Sequence, residues 1–350
     1  MKILFGQRIK SARIMAGLSL RELSNLLEGL VSHNAISKYE RGEMLPDSKI
    51  LIALAKVLNV KTDYFLRSSK VEITNIEFRK KAGLTVRNCS SIKEIVKDCM
   101  ERYLEIESFL LFEQSFFNPL VAMVNSVEEV EDAVDKLLVK WNLGTNALPN
   151  VLEMLEDNDI KVVEIEVNEK FDGLSGWANQ VIPFIVVNKN HSVERKRFTA
   201  LHELGHLLLN INSALNQKEK ELLCHRFAGA MLLPKKTIFQ ELGKKRSSIS
   251  INELIFVKET YGISIQAIMA RAKDLDIISN DQYVRFRIKV NQNNKLKSEI
   301  GFGHYNGVEY TSRFMQLIYR ATAEEIITMS KAASLSNMKL AQFRDTFMSI

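Results

Sequence analysis

The chain has 350 residues, of which 46% are hydrophobic and 26% charged, and it carries a net charge of +6. That is the composition of ordinary globular protein at about twice the length of a typical domain, so two or three domains are expected. No apolar run reaches the roughly 18–20 residues of a membrane-spanning helix, and the first six residues lack the pattern of a signal peptide. Three cysteines without a CxxC pair argue against a disulfide framework or a cysteine-based zinc site, and a cytoplasmic location is expected.

The charge is unevenly placed. Residues 1–70 hold 12 Lys and Arg against 6 Asp and Glu, while the rest of the chain has 36 of each. The whole positive excess lies in the first fifth, where a polyanion-binding face is expected. The same stretch reads as four or five short helices. Ser19 can cap a helix starting at Leu20, with Glu22 completing a capping box. Leu20, Leu23, Leu26 and Leu27 share one apolar face. Ser32 can cap the next helix, which turns Ala35, Ile36 and Tyr39 inward and ends at Gly42. Pro46 and Asp47 open a helix over 48–58, and Thr62 starts a last turn.

Residues 68–90 are polar and weakly patterned and read as a linker. Amphipathic helices are expected over 91–115, 126–142 and 149–157. The period then changes. Residues 161–167 read as a strand and 181–187 as another, which Pro183 assigns to a sheet edge, where an extended substrate can add. Asp172 to Trp177 between them reads as a turn or short hairpin, with Trp177 either lining a substrate cleft or lying in the core. Helices follow over 194–210, 218–232, 251–260 and 264–274. Residues 283–310 read as strand-like pieces around an Asn/Lys-rich loop, and 311–347 as mostly helical.

The segment His202-Glu203-Leu204-Gly205-His206 carries the chemistry. Two histidines four apart share one helix face, and their neutral imidazoles can bind one Zn²⁺. Glu203 can act as general base toward a metal-bound water. Gly205 leaves little bulk beside the metal. A catalytic zinc has a third protein ligand. The next helix offers Glu219, Glu221 and His225; Glu221 is the favoured ligand, with His225 serving the substrate or a ligand. The competing assignment makes His225 the ligand. Arg195 and Arg197 read as packing and charge pairing, Cys224 as a small buried residue, and His304 as a structural loop histidine.

In the N-terminal stretch, residues 19–27 and 32–41 can form a helix, turn and groove-reading helix. The groove-facing candidates are His33, Asn34, Ser37 and Lys38, with Ser32 and Arg41 as phosphate contacts.

The stretch SLRELSNLLEGLVSHNAISKYERGEMLPDSKILIALAKVLNVKTDYFL resembles the Cro/C1-type (XRE-type) helix-turn-helix family. ERKRFTALHELGHLLL followed by EKELLCHRFAGAMLLP resembles the ImmA/IrrE family of metallo-endopeptidases, as do FDGLSGW and YGISIQAIMARAKDLDII. The second helix of that resemblance implies Glu221 as a zinc ligand, and His225 stands where the family often has Asn or Asp.

The expected fold is mainly α with an α+β zincin-like domain. Residues 1–70 would form a five-helix DNA-binding domain, 71–145 a linker and helical connector, 146–280 the metallopeptidase domain, and 281–350 a helical region for sensing or dimerisation. The resemblance implies a DNA-bound transcription regulator of a stress response, working as a homodimer on operator DNA, whose zinc endopeptidase cleaves a repressor, itself or a partner. Two alternatives stand beside it. One is a repressor whose zincin domain binds metal or ligand without proteolysis. The other is a peptidase whose helix-turn-helix only docks a protein.

Overall fold

A computed structural model describes residues 2–67, 71–80, 84–112 and 116–348. In chain order, α1 (Lys2–Met15), α2 (Leu20–Leu26), α3 (His33–Glu40) and α4 (Ser48–Val57) lead to a 3₁₀ turn at Thr62–Leu66, then β1 (Ile73–Lys80) and α5 (Val86–Phe109). Next come β2 (Met123–Val124), α6 (Val127–Lys140), α7 (Val151–Asp157), β3 (Lys161–Ile165), β4 (Phe171–Ala178), β5 (Ile182–Asn188), α8 (Val193–Leu208), β6 (Asn210–Ile211) and α9 (Gln217–Leu232). The remainder is helical: α10 (Lys235–Leu242), α11 (Ile251–Tyr261), α12 (Ile265–Asp274), α13 (Asn280–Gln292), α14 (Asn294–Ser298), α15 (Arg313–Ala323), α16 (Met329–Leu335) and α17 (Leu340–Met348). No helix among the described residues is long and apolar enough to cross a membrane.

The elements form two units. One holds α1–α4, the 3₁₀ turn, α5 and α15–α17. Its first helices start on side-chain caps: Ser19 and Glu22 form a capping box on α2, Ser32 caps α3 and Asp47 caps α4. Ile9, Leu23, Ile36, Leu54 and Phe65 make a fully buried core, each contributing about 1.5–3 kcal/mol of apolar burial. Arg13 grips Glu40 with two bonds of 2.6 and 2.9 Å and so ties α3 to α1. A buried ion pair of 2.7 Å joins Arg8 of α1 to Glu101 of α5. The other side of α5 contributes Tyr103 and Ile106 to a core with Leu317, Ile318 and Phe343.

The second unit holds residues 74–80 and the elements from β2 to α14. Its main sheet has the order β1-β4-β5-β3. β5 pairs antiparallel with β4 and parallel with β3. α8 packs on this sheet and against α9, and its Leu201, Leu204 and Leu208 are fully buried. Arg197, also fully buried, donates to Glu309 (2.7 Å) and to the carbonyl of Leu148 (2.7 Å). Glu309 in turn accepts from the Leu152 backbone amide in the first turn of α7 (2.6 Å). This ion pair pins the loop after α14 to the sheet unit.

Four expectations need correction. β5 lies inside the sheet, not at its edge. Pro183 is tolerated because β3 begins to pair only at Phe184, so the missing amide faces no ladder partner there. Asp172 to Trp177 is not a turn but the body of strand β4; the turn comes after it, where Asn179 and Gln180 have positive φ. Residues 283–310 contain no strand among the described residues; Ser279 and Gln282 form a capping box, Tyr283 and Phe286 pack at helical spacing on the core, and Val290 is buried. Finally, residues 73–80 of the expected linker form β1. Residues 68–70 and 81–83 of that linker, and 113–115 at the end of the expected helix 91–115, lie outside the described residues.

Candidate metal centre and nucleic-acid interface

α8 starts on Ser192, whose side chain accepts from the Arg195 amide. Two turns later the helix presents His202 and His206 on one face. Opposite stands α9, which starts on Asn216 in a capping box with Glu219. That bond commits Glu219 to the helix end and leaves Glu221, one half-turn on, facing the histidines. Glu221 Oε2 is 3.1 Å from His202 Nε2, Glu221 Oε1 is 3.5 Å from His206 Nε2, and the two histidine Nε2 atoms are 3.1 Å apart. Ligand atoms of His202, Glu221 and His225 also lie within 4.8 Å of one another. The His225 ring sits 4.4 Å from that of His202 and stacks on Phe198 at 5.9 Å. The sequence candidates His202, His206, Glu221 and His225 are thus brought together, and His304 is exposed on a loop.

Gly205 has a different role from the one expected. A Cβ there would stand 3.3 Å from the Cα of Cys224 and 3.4 Å from Phe227. The glycine therefore sets the close approach of α8 to α9, which places Glu221 against the histidines. The Cys224 thiol is buried, which pushes its pKa up, as suits a packed cysteine and not a reactive one.

The site favours positive charge. Hydrogen bonds from His202 and His206 hold the Glu221 carboxyl well below its ordinary range. Burial works to lower His206, but its hydrogen bonds with Cys224 and Glu221 and the nearby charge of Glu203 outweigh it, and its pKa is pushed up to about 11. Imidazole nitrogens and a carboxylate converging at these separations are a donor set that fits Zn²⁺.

Glu203 is fully buried, on the α8 face that meets β4. Its Oε2 accepts from the Ser175 hydroxyl at 2.9 Å. Gly173 on the same strand allows the approach: a Cβ there would meet Thr199 Cγ2 at 2.6 Å and the Val186 carbonyl at 2.8 Å. Sequence reasoning missed Ser175. The signal lay in Gly173-Leu174-Ser175-Gly176, where alternation puts Gly173 and Ser175 on one face of a strand. Trp177 is half-buried and meets Phe116 edge-on at 5.8 Å. Asp172 pairs with His191 (3.1 Å) and with Arg195, which accounts for that arginine as charge pairing.

In the other unit, α3 exposes His33, Asn34 and Lys38 and buries Ile36 and Tyr39. Ser37 is half-buried. Ser32 spends its hydroxyl on capping the helix, and Arg41 bonds Ser37 (2.6 Å) and Glu43 (2.5 Å). No acidic residue stands in the first turn of α3, so its positive dipole end is open to an anion.

The class follows from these two constructions: a helix-turn-helix unit, and a cluster of histidines and a glutamate on two helices beside a small sheet. Residues 9–65 match the family model described as helix-turn-helix, and residues 155–273 match the one described as IrrE N-terminal-like domain. The chain thus carries a helix-turn-helix domain and an IrrE N-terminal-like domain. Among curated proteins it is similar to the HTH-type transcriptional regulator ImmR of Bacillus subtilis (strain 168), with 37% identity over 70 residues. It is also similar to the SPbeta prophage-derived uncharacterized HTH-type transcriptional regulator YonR of the same organism, with 32% identity over 69 residues. Each match covers 20% of this chain, and the chain spans 54% and 62% of these relatives.

Proposed function

We propose that this chain is a DNA-binding transcription regulator whose IrrE-like domain is a zinc-dependent endopeptidase that cleaves a repressor, either itself or a partner. The observation that carries the reading is the convergence of His202, His206 and Glu221 beside the buried Glu203. His202, His206 and Glu221 would hold the ion, and His225 would orient a ligand or meet the substrate. Bound Zn²⁺ supplies Lewis acidity and a water of lowered pKa. Glu203, oriented by Ser175, takes a proton from the attacking water and delivers it to the leaving amine. On the DNA side, His33, Asn34, Ser37 and Lys38 read the major groove, with Ser32 and Arg41 at phosphates. Recognition of two half-sites would require a homodimer. Three free cysteines suit a reducing cytoplasm.

The test is a reporter driven by the promoter of the chain's own operon, with wild type or Glu203→Gln supplied in cells. Proteolytic control predicts that Glu203→Gln binds the promoter but blocks induction. Induction that survives the substitution would favour the reading in which the zincin domain binds metal or ligand without cutting.

A further inference from the structure

β4 is the strand that serves Glu203. It supplies the Ser175 hydroxyl, and its Gly173 lies against the Glu203 side chain. One edge of β4 is paired with β5. The other edge is where an extended peptide would add to the strand that holds Ser175, through main-chain hydrogen bonds. That position is already taken, and by the chain itself: β1 is the neighbour of β4 on this side. The fit is close. A Cβ on Gly176 would stand 2.8 Å from the Phe184 ring and 3.2 Å from the Thr74 carbonyl oxygen, so the glycine makes room for both that ring and the β1 backbone. Thr74 Oγ1 also donates to the Trp177 carbonyl (3.4 Å). The segment that holds this place joins the helix-turn-helix, which ends near Leu66, to α5.

We propose that Ile73–Lys80 is the peptidase's own substrate strand, presented in cis, and that cutting it breaks the covalent link between the helix-turn-helix and α5. This rests on the reading of the site as a peptidase. The step is a hydrolysis. A water oxygen bonds to the carbonyl carbon of one peptide bond within β1, and the C–N bond breaks. Glu203 passes a water proton to the departing nitrogen, leaving a carboxylate and an amine. Nothing is oxidised or reduced.

The test uses the full-length chain with one equivalent of Zn²⁺, followed by intact-mass spectrometry. The wild type should give two fragments from one cut within 73–80, their masses summing to the chain plus one water. The first-order rate should not depend on protein concentration, and Glu203→Gln should give no fragments. Successive backbone amides along a strand point to opposite sides, so either Asn75→Pro or Ile76→Pro removes an amide directed at β4. That variant should slow the cut by roughly tenfold, the effect of losing about 1.4 kcal/mol of strand pairing. A rate that rises with concentration would overturn the cis assignment. If 73–80 stays intact while another site or the neighbouring gene product is cut, the inference falls and the peptidase reading stands. Faster cutting of that product by the proline variant, with 73–80 intact in the wild type, would make β1 a plug and not a substrate. Zinc binding with no cut in any protein would remove the inference together with the peptidase reading.

Discussion

Ser175 donates a hydrogen bond of 2.9 Å to Glu203, and both side chains are fully buried. The bond fixes one oxygen of the Glu203 carboxylate. Loss of a buried hydrogen bond to a charged group costs about 1.5–3 kcal/mol. Ser175→Ala should therefore lower the cleavage rate by roughly 10–100-fold. Zinc affinity should stay unchanged, because Ser175 approaches Glu203 and not the histidines. Metal titration alongside cleavage kinetics checks both halves.

The choice between Glu221 and His225 as third ligand is decided by metal affinity. Glu221 bonds His202 and His206, whereas the His225 ring stacks on Phe198 and lies tilted against that of His202. Removing a supporting residue typically costs 10–100-fold in metal affinity. His225→Ala should stay in about that range and Glu221→Ala should exceed it, as measured by chelator competition. The reverse order would make His225 the ligand.

Arg197 and Glu309 form a fully buried pair in which Glu309 also accepts from the Leu152 amide. Glu309→Ala leaves the guanidinium uncompensated and should destabilise the second unit by about 3–5 kcal/mol. Glu309→Gln keeps the acceptor and should cost less. Urea denaturation of the two variants gives the comparison.

Acid should weaken the helix-turn-helix through Glu22. The Ser19 hydroxyl and amide, with Arg87, lower its pKa from 4.5 to about 2. A depressed carboxylate pKa stabilises the fold above the unfolded value, and that contribution fades as pH falls from about 4.5 toward 2. Melting curves at pH 6 and pH 3 should show the wild type losing more stability than Glu22→Gln. Equal losses would show that the cap does not depend on the charge.

Much of this molecule is legible in its sequence because the information is local. Ser19, Ser32 and Asp47 cap helices from within three residues, and His202 and His206 share a face through helical spacing alone. Glu221 is legible for the same reason once α9 is recognised. What escaped depends on distant partners. Pro183 signals an edge strand only until β3 is seen to start one residue later. β1 has no strong pattern of its own, and its neighbour β4 lies about a hundred residues away in sequence. Ser175 reaches Glu203 because Gly173 lets β4 approach α8. Gly205 was read against the metal, whereas its constraint is the neighbouring helix.

The central claim is that Glu203 cuts peptide bonds. The most direct measurement incubates purified wild type and Glu203→Gln with Zn²⁺ and the neighbouring gene product, and reads fragments by mass spectrometry. New fragments, of the chain or of that product, are expected with wild type alone. Equal zinc binding by both proteins and no fragment from either would contradict the claim.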